Sequence, residues 1–164
     1  HYGWIFAGCA AGLILSSQLN TVVLQRFSSD RILLVALPAQ TAVGLLLVAG
    51  TAAGGLSLPL MVLLVGLFLS CQGFIFPNAS ALALAPFSKH AGSASALMGA
   101  LQMGLGALAS ASVSIFNNQT AVPMTAVMAA CTASGLLILM IGNRIIRYKA
   151  SKEEVEEQST DLIM

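Results

Sequence analysis

All seven Lys and Arg residues of this chain fall in three places: Arg26 and Arg31, Lys89, and the run Arg144, Arg147, Lys149 and Lys152. These places are alternate gaps between five long apolar stretches, and the other two gaps, 50–57 and 117–120, hold no charge of either sign. A lipid bilayer accounts for such alternation, because basic residues are retained on the cytoplasmic side while uncharged turns are translocated. The pattern predicts five crossings, with His1 outside and Met164 in the cytoplasm.

Composition points the same way. Apolar residues make up 57% of the chain and charged ones 8%, and the mean hydropathy is +0.89, so a water-soluble fold would be left with too little polar surface. The net charge of +1, with no basic stripe outside the gaps, offers nothing to a nucleic acid. Cys9, Cys71 and Cys131 are odd in number and far apart. That spacing fits neither a disulfide framework nor a zinc site, and they read as small buried hydrophobes.

The fold class expected is an all-α, polytopic membrane bundle of five transmembrane helices over 1–148, with a polar cytoplasmic tail over 149–164. The spans are placed at about 3–25, 32–51, 56–85, 93–116 and 121–146, each long enough for the roughly 20 residues that a hydrocarbon core requires. In the first, Gly8, Gly12, Ser16 and Asn20 form a stripe of small or polar residues that admits a close helix neighbour. Pro38 interrupts the second, and Gly54 and Gly55 supply the turn after it. The third is the longest. Pro59 opens it harmlessly, whereas Pro77 lies inside and leaves the Gly73 carbonyl without its usual donor, so a bend is expected there. In the fourth, Ala96, Ala100 and Gly104 line one side and Gly99 and Gly106 another, which predicts tight packing on both. Pro123 sits in the first turn of the fifth. The tail Lys149–Gln158 has almost no apolar face and reads as a frayed helix or disordered segment.

No acidic, basic or histidine side chain lies in the core of a span, no Gly-x-Ser-x-Gly or His-Glu-x-x-His signature occurs, and His90 falls in a charged gap. An enzyme is therefore not expected, nor is a catalytic residue, a metal site or a cofactor. Asn118-Gln-Thr120 matches the glycosylation pattern but sits in a very short turn. What remains at membrane depth are the neutral amides Gln18, Asn20, Gln40, Gln72, Asn78 and Gln102. Each needs a partner, because an unsatisfied amide in hydrocarbon costs several kcal/mol. Two readings stay open for them: hydrogen bonds between helices, or the lining of a cavity that contacts a ligand. On helical spacing Gln72 shares a face with Phe76, Asn78 points elsewhere, and Gln102 lies beside Met98 and Gly99.

Two segments carry a family resemblance. Pro77-Asn-Ala-Ser-Ala-Leu-Ala-Leu-Ala-Pro-Phe87, followed by Ala91-Gly-Ser-Ala-Ser-Ala-Leu-Met-Gly-Ala-Leu-Gln102-Met-Gly-Leu-Gly106, resembles the tenth and eleventh helices of the bicyclomycin-resistance (Bcr/CflA) drug-efflux branch of the major facilitator superfamily. Gly3-Trp-Ile-Phe-Ala7 and Gly12-Leu-Ile-Leu-Ser-Ser-Gln-Leu-Asn20 look like its eighth. The likeness implies that the chain is helices eight to twelve, the C-terminal fragment of a proton-coupled multidrug efflux transporter of a bacterial inner membrane. Such a protein works by alternating access about a midplane site. In that family helices eight, ten and eleven face the cavity and nine and twelve are peripheral. This favours Gln18, Gln72, Phe76, Asn78, Met98 and Gln102 as ligand-binding residues and demotes Gln40. Implied partners are an amphipathic small molecule, protons and the lipid bilayer, with the coupling carboxylates in the missing first half. The segment Arg26-Phe-Ser-Ser-Asp30-Arg31 stands where the superfamily often has a glycine-containing gating motif, but the glycines are lost, leaving at most an Asp30 to Arg31 pairing. The alternatives are an exporter of a natural metabolite and a non-transport membrane scaffold.

Overall fold

A computed structural model describes residues 2–116 and 120–161, with side chains described at 3–116 and 120–144. Among these residues every regular element is a helix. The elements in order are α1 (Tyr2–Val23), α2 (Ser29–Ala52), α3 (Leu58–Leu84), a 3-10 segment (Ala85–His90), α4 (Ala91–Ile115) and α5 (Val122–Asp161).

Local chemistry sets the boundaries. After Val23 the chain tightens, with the Gln25 and Arg26 amides donating to the Val22 and Val23 carbonyls at 3.2 and 3.0 Å. Ser28 then adopts an extended conformation at the N-cap of α2, and Asp30 lies in the first turn, where a carboxylate complements the positive end of the helix dipole. The turn after α2 requires Gly54, whose φ of 66° lies in the left-handed region that glycine enters without penalty. Ser57 precedes α3, with Pro59 in its opening turn.

Four continuous helical stretches are long and apolar enough to cross a membrane: Gly3–Val23, Ser29–Ala52, Leu58–Ile115 and Val122–Arg144. The sequence pattern predicts five. The difference lies in Leu58–Ile115, where α3, the 3-10 segment and α4 follow one another without a loop but with a kink between them. Two residues of that segment leave the helical region: Phe87, at φ −104° and ψ 29°, and its last residue His90, at φ −129° and ψ 34°. The helix α5 also runs on to Asp161, through most of the segment expected to fray.

At the centre is α3, packed on α1 along one side and on α2 along another, while α2 also packs on α5. Small residues make these approaches possible. A Cβ at Gly73 would meet the Leu13 carbonyl oxygen and the Ser16 Cβ at 2.8 Å, and one at Gly12 would meet the Ser70 hydroxyl at 2.9 Å. Ser16 and Asn20 are buried on that contact. The expected stripe on α1 is thus a helix interface from Gly12 to Asn20, whereas Gly8 faces open space. Between α2, α3 and α5 the core forms around Val43, Leu47 and Phe68, with Met61, Leu64, Val65 and Met128 against them. The hydroxyls of Thr51 and Thr125 meet at 2.9 Å across α2 and α5.

The helix α4 differs. It has no buried residue, touches α3 and α5 only sparingly, and its glycines 92, 99, 104 and 106 have no neighbour within 4 Å. The tight two-sided packing read from its small residues is not met within this chain. The cysteines also depart from expectation: Cys9 and Cys71 are only half-buried and Cys131 is exposed. Elsewhere the apolar residues face outward, Trp4 at 84% and Phe6 at 78% exposure. Water would penalise this surface, and hydrocarbon would not.

The α1–α3 crossing generates a test. Gly73→Leu forces a side chain into the backbone of α1 and is expected to destabilise the protein by about 1–3 kcal/mol, read as a lowered melting temperature in detergent. Gly92→Ala, in open space, serves as the control and should not lower the melting temperature, since alanine is the better helix former.

Candidate functional site

Four of the six amides form two pairs, one on each side of α3. Towards α2, the Gln40 side-chain nitrogen donates to Gln72 Oε1 at 2.8 Å and to the Phe68 carbonyl at 3.2 Å. Gln40 is 1% exposed and Gln72 half-buried. Towards α1, Asn78 Nδ2 donates to Asn20 Oδ1 at 2.7 Å and to the Phe74 carbonyl at 2.7 Å. Both asparagines are buried. The side-chain nitrogen of Asn78 thus makes two bonds, whereas its Oδ1 is buried without a hydrogen-bond partner among the described residues. The bond to Phe74, four residues back, is one that a polar side chain makes with its own helix, and its acceptor is the residue next to Gly73, whose carbonyl Pro77 deprives of a donor.

The remaining two amides are exposed. Gln18 on α1 and Gln102 near the middle of α4 make no side-chain hydrogen bond among the described residues. Gln72 accepts from Gln40 but donates to no described residue, so its Nε2 protons are also unspent. Phe76 is 52% exposed, and Met98 is half-buried.

The six residues selected from the sequence are therefore not brought into one pocket. Met98 lines a groove of about 430 Å³ at the α3–α4 corner, with Phe87, His90 and Leu101. Gln18, Gln72, Phe76, Asn78 and Gln102 line neither that groove nor a larger one of about 680 Å³ between the end of α1, the first half of α2, and α3. Gln72 and Asn78 do face different neighbours, as their spacing predicts. Asn78, enclosed between α1 and α3, is placed as a helix contact.

Gln40 is the important residue that the sequence reading set aside. A signal for it existed: Gln40, Val43, Gly44 and Leu47 are all buried, and their spacing of i, i+3, i+4 and i+7 describes one helix face. No cluster of three His, Cys, Asp or Glu side chains occurs among the described residues. Nor do Asp30 and Arg31 form an ion pair. The glycosylation pattern at Asn118 lies outside the described residues.

Compared with family models, curated proteins and solved structures, the chain matches none.

The pairing of Asn20 with Asn78 can be measured by a double-mutant cycle. Asn20→Ala and Asn78→Ala should each destabilise the protein in detergent, and the two together by less than the sum. The expected coupling is about 1 kcal/mol, the usual size of a hydrogen bond between membrane helices.

Proposed function

We propose that this chain is the C-terminal part of a membrane exporter of amphipathic small molecules, proton-coupled and working by alternating access in a bacterial inner membrane. The observation that carries the reading is α4: a long apolar helix with no buried residue that holds the unpaired amide of Gln102 near its middle. An amide at that depth gains a partner only from water in a cavity, from a ligand or from another helix. A cavity between two helical halves of a transporter supplies the first two.

Five crossings belong to this proposal. At the standard rise α3 and α4 measure about 40 and 37 Å, each enough for one bilayer core. The non-helical Phe87 and His90 divide them beside Lys89. A reversal there puts Arg26, Arg31, Lys89 and Arg144 on one side, which the proposal takes as the cytoplasm. The ligand would meet Gln102 and Met98 on α4, Gln72 and Phe76 on α3, and Gln18 on α1. Gln40 would hold Gln72 from behind with its amide nitrogen free to donate, and Asn78 would lock α3 to α1. Pro77 provides a place for α3 to bend. Proton coupling needs carboxylates that these spans lack, and the proposal puts them in a preceding half.

The scaffold reading draws on a different observation, the mutual satisfaction of Gln40 with Gln72 and of Asn20 with Asn78. It treats every amide as glue between helices. A metabolite exporter would use the same residues as a drug exporter. Resistance measurements on the full-length protein separate transport from scaffolding. Gln102→Ala at unchanged expression is expected to shift the inhibitory concentration of at least one exported compound by about fivefold, the equivalent of one lost hydrogen bond of ~1 kcal/mol. Unchanged resistance to every compound would remove Gln102 from the site and favour the scaffold.

A further inference from the structure

The larger groove, about 680 Å³, contains none of the residues assigned to the ligand, and its chemistry differs from theirs. Its walls are Val23 at the end of α1 and Phe27 in the turn after it, Val35 and Ala39 on α2, and Cys71 and Phe74 on α3, with Arg31 of the first turn of α2 also among them. The lining, Arg31 included, presents almost no hydrogen-bonding surface to the groove, so the interior suits hydrocarbon and the guanidinium is left for a group outside it. From Arg31 to Ala39 the wall of α2 runs eight residues, about 12 Å, close to one leaflet's share of a core roughly 30 Å thick. A groove of that depth accepts a fatty chain from the adjoining leaflet.

Charge fixes the other end of the occupant. Arg31 is exposed and forms no ion pair among the described residues. Its neighbour Asp30 does not line the groove, and Arg26, in the turn before α2, is a second cation five residues earlier in the chain. A guanidinium presents a planar fork that matches a phosphate, and basic pockets between helix ends at a membrane surface select anionic headgroups. A cationic amphiphile would be repelled here.

We propose that this groove is a binding site for an anionic phospholipid, one acyl chain lying along Val35, Ala39, Cys71 and Phe74 and the phosphate on Arg31. The site requires that α1–α3 cross a bilayer, which rests on the reading above, but it does not require that the chain transport anything. The small side chain of Ala39 keeps the groove open, so a large residue there closes it.

The test uses the full-length protein in nanodiscs of phosphatidylcholine and phosphatidylglycerol, including phosphatidylglycerol with a photoactivatable acyl chain. Retained lipid is counted by native mass spectrometry and cross-linked peptides are mapped. Expected are retention of phosphatidylglycerol over phosphatidylcholine by about tenfold and cross-links within 31–39 and 71–74. Arg31→Gln should bring the preference close to parity, Arg31→Lys should keep part of it, and Ala39→Phe should lower retention of both lipids. The proposal is overturned by equal retention in the wild type, by a preference that survives Arg31→Gln, by cross-links elsewhere, or by displacement of the lipid with inorganic phosphate. Resistance measured with the same Arg31→Gln protein reports on transport separately, so failure of either reading is seen apart from the other.

Discussion

Inside a bilayer an amide has no water to turn to, and this chain resolves that constraint by placing α3 between two amide partners. Gln72 is held by Gln40 from α2, and Asn78 holds Asn20 on α1. Around these bonds the helices approach at glycine and serine, closest where Gly73 lies against the backbone of α1. The two devices depend on one another. Short polar side chains reach across only where backbones are near, and lipid tails, being as apolar as leucine, give the helices little other reason to associate. Packing then extends outward from α3 through α2 to α5.

The proposed transport reading and the proposed lipid site use opposite chemistries on different parts of this frame. Gln18 and Gln102 are uncharged amides left without partners on the outer faces of α1 and α4. They would suit ligands recognised by hydrogen bonds and apolar contact. The groove at Arg31 is apolar along its length and cationic at its end, which suits an anionic lipid and disfavours cationic compounds. One frame can therefore carry both without competition between them.

Element positions were largely legible from the residues, because charge, proline and glycine punctuate the chain at the points where helices stop. Arg26, Gly54 and Pro59 each fall within or beside an observed boundary. Facing was harder to read. In a helix apolar all round, hydrophobicity does not mark the buried side, and small or polar residues must do so. The Gly12, Ser16, Asn20 stripe succeeded on those grounds, and Gln40 with Val43, Gly44 and Leu47 would have succeeded had its periodicity been followed. The small residues of α4 pointed to close packing that this chain does not contain, since a stripe states what a helix can accept and not which helix provides it. The form of the junction at Ala85–His90 was also hidden: Pro86 suggests a stop, whereas a 3-10 segment accommodates a proline early in its turn and joins α3 to α4 across a kink at Phe87.

The account stands on the threading of apolar helices through a bilayer with every basic turn on one side. The most direct measurement is labelling of single cysteines introduced by Ser28→Cys, Gly55→Cys and Ser88→Cys into an otherwise cysteine-free full-length protein. A membrane-impermeant thiol reagent would be added to intact cells and to inverted vesicles. The account predicts that position 55 reacts in intact cells and that positions 28 and 88 react only in inverted vesicles. Reaction of position 28 or 88 in intact cells would contradict it.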